Sequence, residues 1–421
     1  MQASSIFRQG VLGIQMLFVA FGALVLVPLL TGLDPSIALL TAGAGTLLFH
    51  ALTGGQIPIF LASSFAFIAP IQFAVREWGT GAALGGLFCA GLVYLLFSLI
   101  VRLGGKDMIN RYLPPIVTGP VIMVIGLKLA PVAVCMARSL DGSGTFSRKA
   151  ILIAACSLLT AVSTVMYGKK LLSLIPVLCG IIVGYIISLL LGVVDFTPVR
   201  EAVWFAAPWA EALKNGTYAL PRFEIPAITY MLPVALAPAI EHVGDILAIS
   251  SVTGKNYLQQ PGLHRTLLGD GLATSLAALL GGPPNTTYSE VTGAVALTKS
   301  FDPLLMRIAA VTAIILAFAG KLGAVLRTIP SPVMGGIMLL LFGMIAAIGI
   351  NALVRARVDM SRSRNLVIAS VILTTGIGDL TVTCGRFCLG GIGLAGLVGV
   401  LLNIILPGTG DAHAEHAEPA P

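Results

Sequence analysis

The sequence predicts an all-α polytopic membrane protein whose crossings form two inverted repeats. Of its 421 residues, 57% are hydrophobic and only 10% are charged, whereas about a quarter of the residues in a typical soluble domain are charged. Apolar stretches recur from Val11 to Leu406, so there is too little polar surface to cover a globule of this size in water. These observations exclude an ordinary cytosolic enzyme and indicate that the chain is surrounded by lipid.

Fourteen crossings are predicted from the apolar runs between charged, Gly or Pro residues. The first seven lie near 11–31, 36–53, 57–75, 81–103, 108–130, 148–168 and 171–192. A long polar connection at 195–224 separates them from seven more near 227–250, 264–281, 284–299, 303–325, 330–351, 365–382 and 387–406. Because each half has an odd number of crossings, the second half must run upside down relative to the first, a plan common among secondary transporters.

Two further patterns bear on the repeat and on orientation. Segment 113–119 (Leu-Pro-Pro-Ile-Val-Thr-Gly) is echoed by 329–335 (Ile-Pro-Ser-Pro-Val-Met-Gly) about half a chain later. Lys and Arg are modestly enriched in the connections that face the cytoplasm if the N-terminus is inside, so both termini are predicted to be cytoplasmic. The tail at 408–421 is rich in Ala, Glu, His and Pro and is predicted to be disordered.

The sequence offers no pattern that predicts an enzyme, a cofactor or a metal site. Cys384 and Cys388 are four residues apart, but no His or carboxylate stands beside them in the sequence. We find no nucleophile constellation and no phosphate-binding glycine pattern in a suitable context. The net charge of +7 is spread over the loops rather than gathered in a stripe, which argues against binding to nucleic acid.

The third crossing of each half is predicted to be broken. Gly and Pro at 54, 55 and 58 and Ser at 63 and 64 lie in the first half of one span, and Gly, Pro, Asn and hydroxyl residues occupy 281–288 in the other. We expect each stretch to form a short β-strand, the two pairing antiparallel, and then to change to a half-helix near the bilayer midplane. Irregular backbone at that depth survives only inside protein or along a cavity. The free N–H groups at the start of each half-helix would offer donors to a carbonyl oxygen or an anion.

Three carboxyl groups are predicted to meet in this cavity. Glu241 and Asp245 lie one turn apart in the eighth crossing, and Glu290 begins the second half-helix. Acids at membrane depth are functional by default, and close acids in a partly dry site repel one another, which predicts that they share a proton and couple its movement to transport. Asp245 and His242 could instead brace a neighbouring helix, and Asp270 is expected to be bonded within the scaffold.

The same cavity suits a small planar lactam or imide. A carboxylate accepts hydrogen bonds from ring N–H groups, while the N–H groups of a half-helix donate to C=O. Phe65, Phe67 and Tyr288 could supply a stacking face, although an aromatic residue in a membrane helix is more often plain packing.

At these positions the sequence resembles the nucleobase/ascorbate transporter family, most closely its bacterial uracil permease branch. The similar segments follow one another along nearly the whole chain: 17–23, 27–28, 63–68, 241–244, 261–265, 284–288 and 332–336. The family signature of the tenth crossing, an acid or amide followed by Gly at the fourth place and by Thr-Lys or Thr-Arg at the end, resembles 290–299 (Glu-Val-Thr-Gly through Thr-Lys).

The resemblance implies a core domain (1–104 and 225–327) and a gate domain (105–224 and 328–407) that move against each other like an elevator. It implies proton-coupled import of a nucleobase, with uracil favoured, across the bacterial inner membrane, and a homodimer formed through the gate domain. Glu241 and Glu290 would bond the base, and Phe65 would stack on it. The backbone at Ser289 and Ala23, with the Tyr288 ring, would line the site.

Three alternatives stay open at this stage. The same fold could carry xanthine or another purine, because architecture does not fix the cargo. It could carry an inorganic anion, although basic or neutral site residues would then be expected in place of three acids. A membrane enzyme or a passive channel is the third alternative.

Overall fold

The computed structural model describes residues 2–104, 113–169, 172–385 and 387–407. It is mostly helical, and the bounds of its helices and strands are as follows: α1 Gln2–Thr31, α2 Pro35–Leu52, β1 Leu61–Ser63, α3 Ile68–Trp78, α4 Thr80–Gly104, α5 Pro115–Arg138, α6 Arg148–Tyr167, α7 Pro176–Leu190, α8 Thr197–Glu201, α9 Pro208–Lys214, α10 Ile225–Met231, α11 Leu236–Thr253, α12 Leu263–Leu279, β2 Asn285–Thr287, α13 Ser289–Thr298, α14 Leu304–Ala317, α15 Gly320–Arg327, α16 Ser331–Arg355, α17 Ser363–Ile377, β3 Thr381–Cys384, β4 Phe387–Gly390 and α18 Gly391–Ile405. The predicted disordered tail, 408–421, and the start of the predicted fifth crossing, 108–112, lie outside the described residues.

The helices confirm a multi-pass membrane protein. Within the described ranges, seven helical segments are long and apolar enough to cross a membrane, and four shorter apolar helices accompany them. The seven are 9–31 of α1, α2, α4, α5, α6, α10 together with α11, and α16, and the shorter four are α7, α14, α17 and α18. The exact number of fourteen crossings stays a prediction.

The two predicted interruptions are confirmed. β1 and β2 pair antiparallel, with Leu61 opposite Thr287 and Ser63 opposite Asn285. After β2 the chain turns directly into α13, whereas a 3-10 turn at Phe65–Phe67 separates β1 from α3. The first half-helix therefore begins at Ile68, three residues later than Phe65.

Hydroxyl groups of flanking helices satisfy the outer edges of this two-stranded ladder. On the β1 side, the backbone N–H of Leu61 donates to Thr46 Oγ1 of α2 at 2.9 Å. On the β2 side, Thr274 Oγ1 of α12 donates to the carbonyl oxygen of Asn285 at 2.6 Å. Since backbone polar groups at membrane depth find no water to replace missing partners, these buried threonines allow two strands to exist without further neighbours.

The predictions for the last two crossings are wrong at their facing ends. Helix α17 ends at Ile377 and α18 begins at Gly391, whereas the predicted crossings extended to 382 and began at 387. Between them, β3 and β4 form an antiparallel hairpin in which Thr381 lies opposite Gly390. Asp379 adopts a φ of 55° and Gly385 a φ of 60°, and neither value is α-helical. The Thr and Val residues that follow Asp379 alternate in a way that favours a strand.

The predicted eleventh crossing, 303–325, is also split. Helix α14 ends at Ala317 and α15 begins at Gly320, because the connection between the two halves pairs with the chain here. An isolated bridge joins Phe205 and Ala319, and the backbone N–H of Gly320 donates to the carbonyl oxygen of Trp204 at 3.0 Å. The connection is therefore fastened to the second half rather than lying free.

The helix pairs that pack most extensively follow a pattern across the two halves of the chain. Helix α5 packs on α16, and α2 packs on α12. The contact of α4 with α12 is matched by that of α14 with α2, and the pair α6 and α7 is matched by the pair α17 and α18. The contact of α16 with α6 is matched likewise by that of α5 with α17.

Close approach of α5 and α16 depends on glycine. A methyl group at Gly119 would lie 2.9 Å from the carbonyl oxygen of Gly349, and one at Gly126 would lie 2.8 Å from the backbone nitrogen of Ala346. Both distances are shorter than van der Waals contact, so only small residues let these two backbones meet.

Gly126→Val is expected to force α5 and α16 apart and to lower the midpoint of thermal unfolding in detergent, because overpacking costs about 1–3 kcal/mol. Gly343→Val is the matched control, since a methyl group at Gly343 on α16 meets nothing within 4 Å. Equal midpoints for the two variants, measured by scanning fluorimetry, would show that this contact does not limit stability.

Candidate functional site

The candidate site lies where α11 meets the second interrupted segment. Helix α11 packs against both β2 and α13. It carries Glu241 and Asp245 one turn apart, while Ser289 and Glu290 form the first turn of α13. Asp245 is buried, and Glu241 and Glu290 are half-buried. The structure thus brings together the three acids that the sequence singled out.

Asp245 is held by hydroxyl groups on both of its oxygens. Thr287 Oγ1 donates to Asp245 Oδ2 at 2.8 Å, and Ser289 Oγ donates to Asp245 Oδ1. Both donors belong to the junction between β2 and α13, so this carboxyl group fixes α11 to the start of the half-helix. The bracing alternative for Asp245 therefore has direct geometric support, and the side chain of Ser289 bonds to Asp245.

Glu241 and Glu290 are placed differently. Neither carboxyl group accepts a hydrogen bond from another residue in the described part of the chain, and Glu241 interacts electrostatically with Glu290, Asp245 and Asp270. One turn after each acid stands a glycine, Gly244 and Gly293, where an added methyl group would meet nothing within 4 Å. Two half-buried carboxyl groups with unused acceptor capacity thus lie one turn from positions that no other part of the described chain fills.

Asp270 and His242 form a buried pair behind the acids. Both side chains are fully buried, and His242 Nδ1 lies 3.5 Å from Asp270 Oδ2. Thr286 Oγ1 donates to the same oxygen at 3.4 Å. The expectation that Asp270 is bonded within the scaffold is therefore confirmed, and His242 faces this scaffold, with its ring edge toward Phe49 at a centroid distance of 6.4 Å.

Three aromatic rings meet beside the interrupted segments. The ring centroids of Phe65 and Tyr288 are 6.3 Å apart, and Phe342 of α16 lies 6.3 Å from Phe65 in an edge-on arrangement. Phe342 was not predicted, because it stands in a long apolar run that carries no local signal of a site. Phe67 and Ala23 are buried in the core; Ala23 belongs to α1, which packs against β1 and α13.

Within the ranges that the structure describes, no group of three His, Cys, Asp or Glu side chains is arranged to hold a metal ion. The groups that the structure does bring together suit recognition by hydrogen bonds and stacking. Carboxyl oxygens can accept N–H groups, the first backbone N–H groups of α13 can donate, and the aromatic rings offer flat apolar faces.

Comparison with known sequences agrees with this arrangement. A family model described as "Permease family" matches residues 8–385. The "Probable uracil permease" of Haemophilus influenzae is 55% identical over 400 residues, covering 95% of this chain and 94% of that protein. The "Uracil permease" of Bacillus caldolyticus is 47% identical over 398 residues, covering 94% of this chain and 91% of that protein. The chain therefore belongs to the nucleobase/ascorbate transporter family of permeases.

Solved structures show the same fold at low sequence identity. The transmembrane domain of the cyanobacterium bicarbonate transporter BicA superposes with a TM-score of 0.60 at 16% identity, covering 94% of this chain and 96% of that one. The structure of SLC26A9 gives a TM-score of 0.66 at 13% identity, covering 94% of this chain and 64% of that one. At these identities the similarity shows the fold alone.

Thr287→Val is expected to destabilise the protein, because it leaves an oxygen of the buried Asp245 without its donor, at a cost of about 1–3 kcal/mol. Thr287→Ser keeps the hydroxyl group and is the matched control. The midpoint of thermal unfolding should fall for the valine variant and stay near the wild-type value for the serine variant. If both variants unfold alike, the hydroxyl bond to Asp245 is not what matters at this position.

Proposed function

We propose that this protein is a proton-coupled symporter that imports a nucleobase, with uracil as the favoured substrate, across the bacterial cytoplasmic membrane. The observation that carries the proposal is the pair of half-buried carboxyl groups, Glu241 and Glu290, which accept no hydrogen bond from another described residue and lie beside an interrupted helix. Relatives named uracil permease, similar over nearly their whole length, support the choice of substrate.

A nucleobase fits the donors and acceptors at this place. Uracil carries two ring N–H groups and two carbonyl oxygens on one planar ring. Glu241 and Glu290 would accept from the N–H groups, and the backbone N–H groups at Ser289 and Glu290 would donate to a carbonyl oxygen. Phe65 would stack on the ring, with Tyr288 and the backbone at Ala23 completing the wall.

Proton coupling follows from the crowding of acids. Glu241 interacts electrostatically with three other carboxyl groups, and removing several like charges from water together is unfavourable, so protons are expected to accompany them. We assign the coupling to Glu241, Asp245 and Glu290. One charge crossing a potential of 100 mV carries about 2.3 kcal/mol, which corresponds to roughly 50-fold accumulation of a neutral solute.

The helix contacts support an inverted repeat with two moving parts. Exchanging the two halves of the chain turns the contact of α4 with α12 into that of α14 with α2. It likewise turns the contact of α6 with α7 into that of α17 with α18. We propose a core domain (1–104 and 225–327) that slides against a gate domain (105–224 and 328–407) like an elevator. Phe65 then belongs to the core and Phe342 to the gate, so their contact lies on the sliding boundary.

The remaining parts of the proposal concern assembly and orientation. Both termini would face the cytoplasm, in agreement with the modest excess of Lys and Arg in inner connections. The gate domain would form the homodimer contact, and lipid would surround the rest. Membership in a permease family points to a transporter rather than an enzyme.

A purine such as xanthine is the second candidate substrate. The open space beside Gly244 and Gly293 leaves room for a larger ring. An inorganic anion is disfavoured, because three acids in the site would repel it.

Uracil uptake into proteoliposomes is expected to depend on an inward proton gradient and to be lost in Glu241→Gln and in Glu290→Gln, because each removes an acceptor and a titratable group. Glu201→Gln is the matched control, since Glu201 is exposed in α8. Accumulation that ignores the gradient, or that persists in both site variants, would refute the proposed coupling.

A thermal-shift competition is expected to rank uracil first. A ligand at 100 times its dissociation constant stabilises the folded state by about 2.7 kcal/mol, so uracil should raise the unfolding midpoint of the wild type and leave that of Glu241→Gln unchanged. A larger shift with xanthine would select the purine alternative, and a shift with bicarbonate alone would select the anion alternative.

A further inference from the structure

A lysine that is not among the groups assigned to the site lies inside one of the long apolar helices. Lys128 stands near the middle of the span Pro115–Arg138. In the part of the chain that the structure describes, it is the one Lys or Arg of the seven long helical segments that is not within a turn or so of a helix end. A cation at membrane depth is costly and marks a functional contact by default, with its partner as part of the hypothesis. The function proposed above does not use it.

The partner of Lys128 is Asp379, with which it forms an ion pair. The Lys128 side chain is 11% exposed and that of Asp379 is 50% exposed, so the protein covers the lysine more fully than the aspartate. Both groups gather around Gly391, the first residue of α18. A methyl group there would lie 2.8 Å from Lys128 Nζ, 3.1 Å from Asp379 Oδ1 and 3.4 Å from Tyr230 Oη.

Glycine is required at this junction for two reasons. Gly391 adopts a φ of 57°, a conformation that L side chains avoid. A side chain would also separate the three polar groups that meet there. The ion pair consequently fixes the base of the β3–β4 hairpin to the middle of α5.

The hairpin rests on a different part of the molecule. The backbone N–H of Cys388 on β4 donates to Thr229 Oγ1 of α10 at 3.1 Å. Tyr230 of α10 stacks on Phe73 of α3 with a centroid distance of 4.6 Å. Helix α10 continues through a 3-10 turn at Pro233–Ala235 into α11, which carries Glu241. The hairpin therefore joins α5 to the two elements that lead into the site.

We propose that the β3–β4 hairpin is a latch between the proposed gate domain and the proposed core domain, and that Lys128 and Asp379 are its positioning residues. The proposal rests on the proposed function, because it assigns α5, α17 and α18 to the gate domain and α3 and α10 to the core. Movement of the core must break the contact between Cys388 and Thr229. Without the ion pair the hairpin is no longer held, and the latch opens more often.

Two native cysteines report on the latch. Cys384 on β3 is exposed, whereas Cys388 on β4 is 4% exposed. Purified full-length protein is treated with a maleimide, and peptide mass spectrometry gives the labelling rate of each thiol. Because labelling of a buried thiol follows the population of the opened state, Asp379→Asn should raise the Cys388 rate about tenfold or more, with the Cys384 rate unchanged.

Conservative and reciprocal variants separate this role from a purely structural one. Lys128→Arg, and the exchanged pair Lys128→Asp with Asp379→Lys, should label Cys388 at close to the wild-type rate, while Lys128→Met should behave like Asp379→Asn. Cys89 and Cys156 are half-buried in other helices and serve as the control for unfolding. Faster labelling of these two thiols would show that a variant has unfolded. An unchanged Cys388 rate in Asp379→Asn, or equal opening in Lys128→Arg and Lys128→Met, would overturn the proposal.

Uptake adds a second readout. In Asp379→Asn the maximal rate of uracil uptake should rise, because movement of the core must break the latch and the latch opens more often. KM should stay near the wild-type value, because the proposed binding site uses neither residue of the ion pair. A rise in KM with an unchanged maximal rate would contradict the latch. If the wild type does not transport uracil at all, the transport proposal fails, and the Cys388 labelling rates still decide the latch.

Discussion

The ladder between β1 and β2 is the contact on which the rest of the site depends. Two crossings can stop being helical at membrane depth only if their exposed backbone groups find partners inside the protein. The strands supply most of these partners to each other, and Thr46 and Thr274 supply the rest at the outer edges. Once the strands are fixed, the start of α13 is fixed as well, and with it the position of Glu290.

The acids around this ladder divide their tasks by their bonding. Asp245 and Asp270 are fully buried and bonded to hydroxyl groups of β2 and its junction with α13, so they hold α11 and α12 to the interrupted segment. Glu241 and Glu290 accept no hydrogen bond from any other residue that the structure describes. Asp245 is bonded on both of its oxygens, whereas the carboxyl oxygens of its neighbours Glu241 and Glu290 remain available to a ligand, which is what a site for a small polar solute needs.

Much of the fold and part of the site could be predicted from local chemistry. Two Gly residues followed closely by Pro, as at 54–58 and at 281–284, strongly disfavour a helix, so the two interruptions were predictable, and an acid in an apolar run is conspicuous in any sequence. The hairpin at 381–390 was not predictable, because Thr, Val and Cys in an apolar stretch suit a membrane helix and a strand equally well. Phe342 and Lys128 were missed for a related reason: each depends on a partner far away in the chain.

By itself the sequence determined the lipid environment, the helical class, the two broken segments and the identity of the acids, because composition and local breakers act over a few residues. Only the tertiary structure decided which acids are bonded and which stay open, which rings meet, and that Lys128 reaches Asp379. These facts depend on contacts between residues that are distant in the sequence, such as Asp245 with Thr287, 42 positions apart, and Lys128 with Asp379, 251 positions apart. No local pattern encodes them, since the free energy of each contact exists only after the helices have packed.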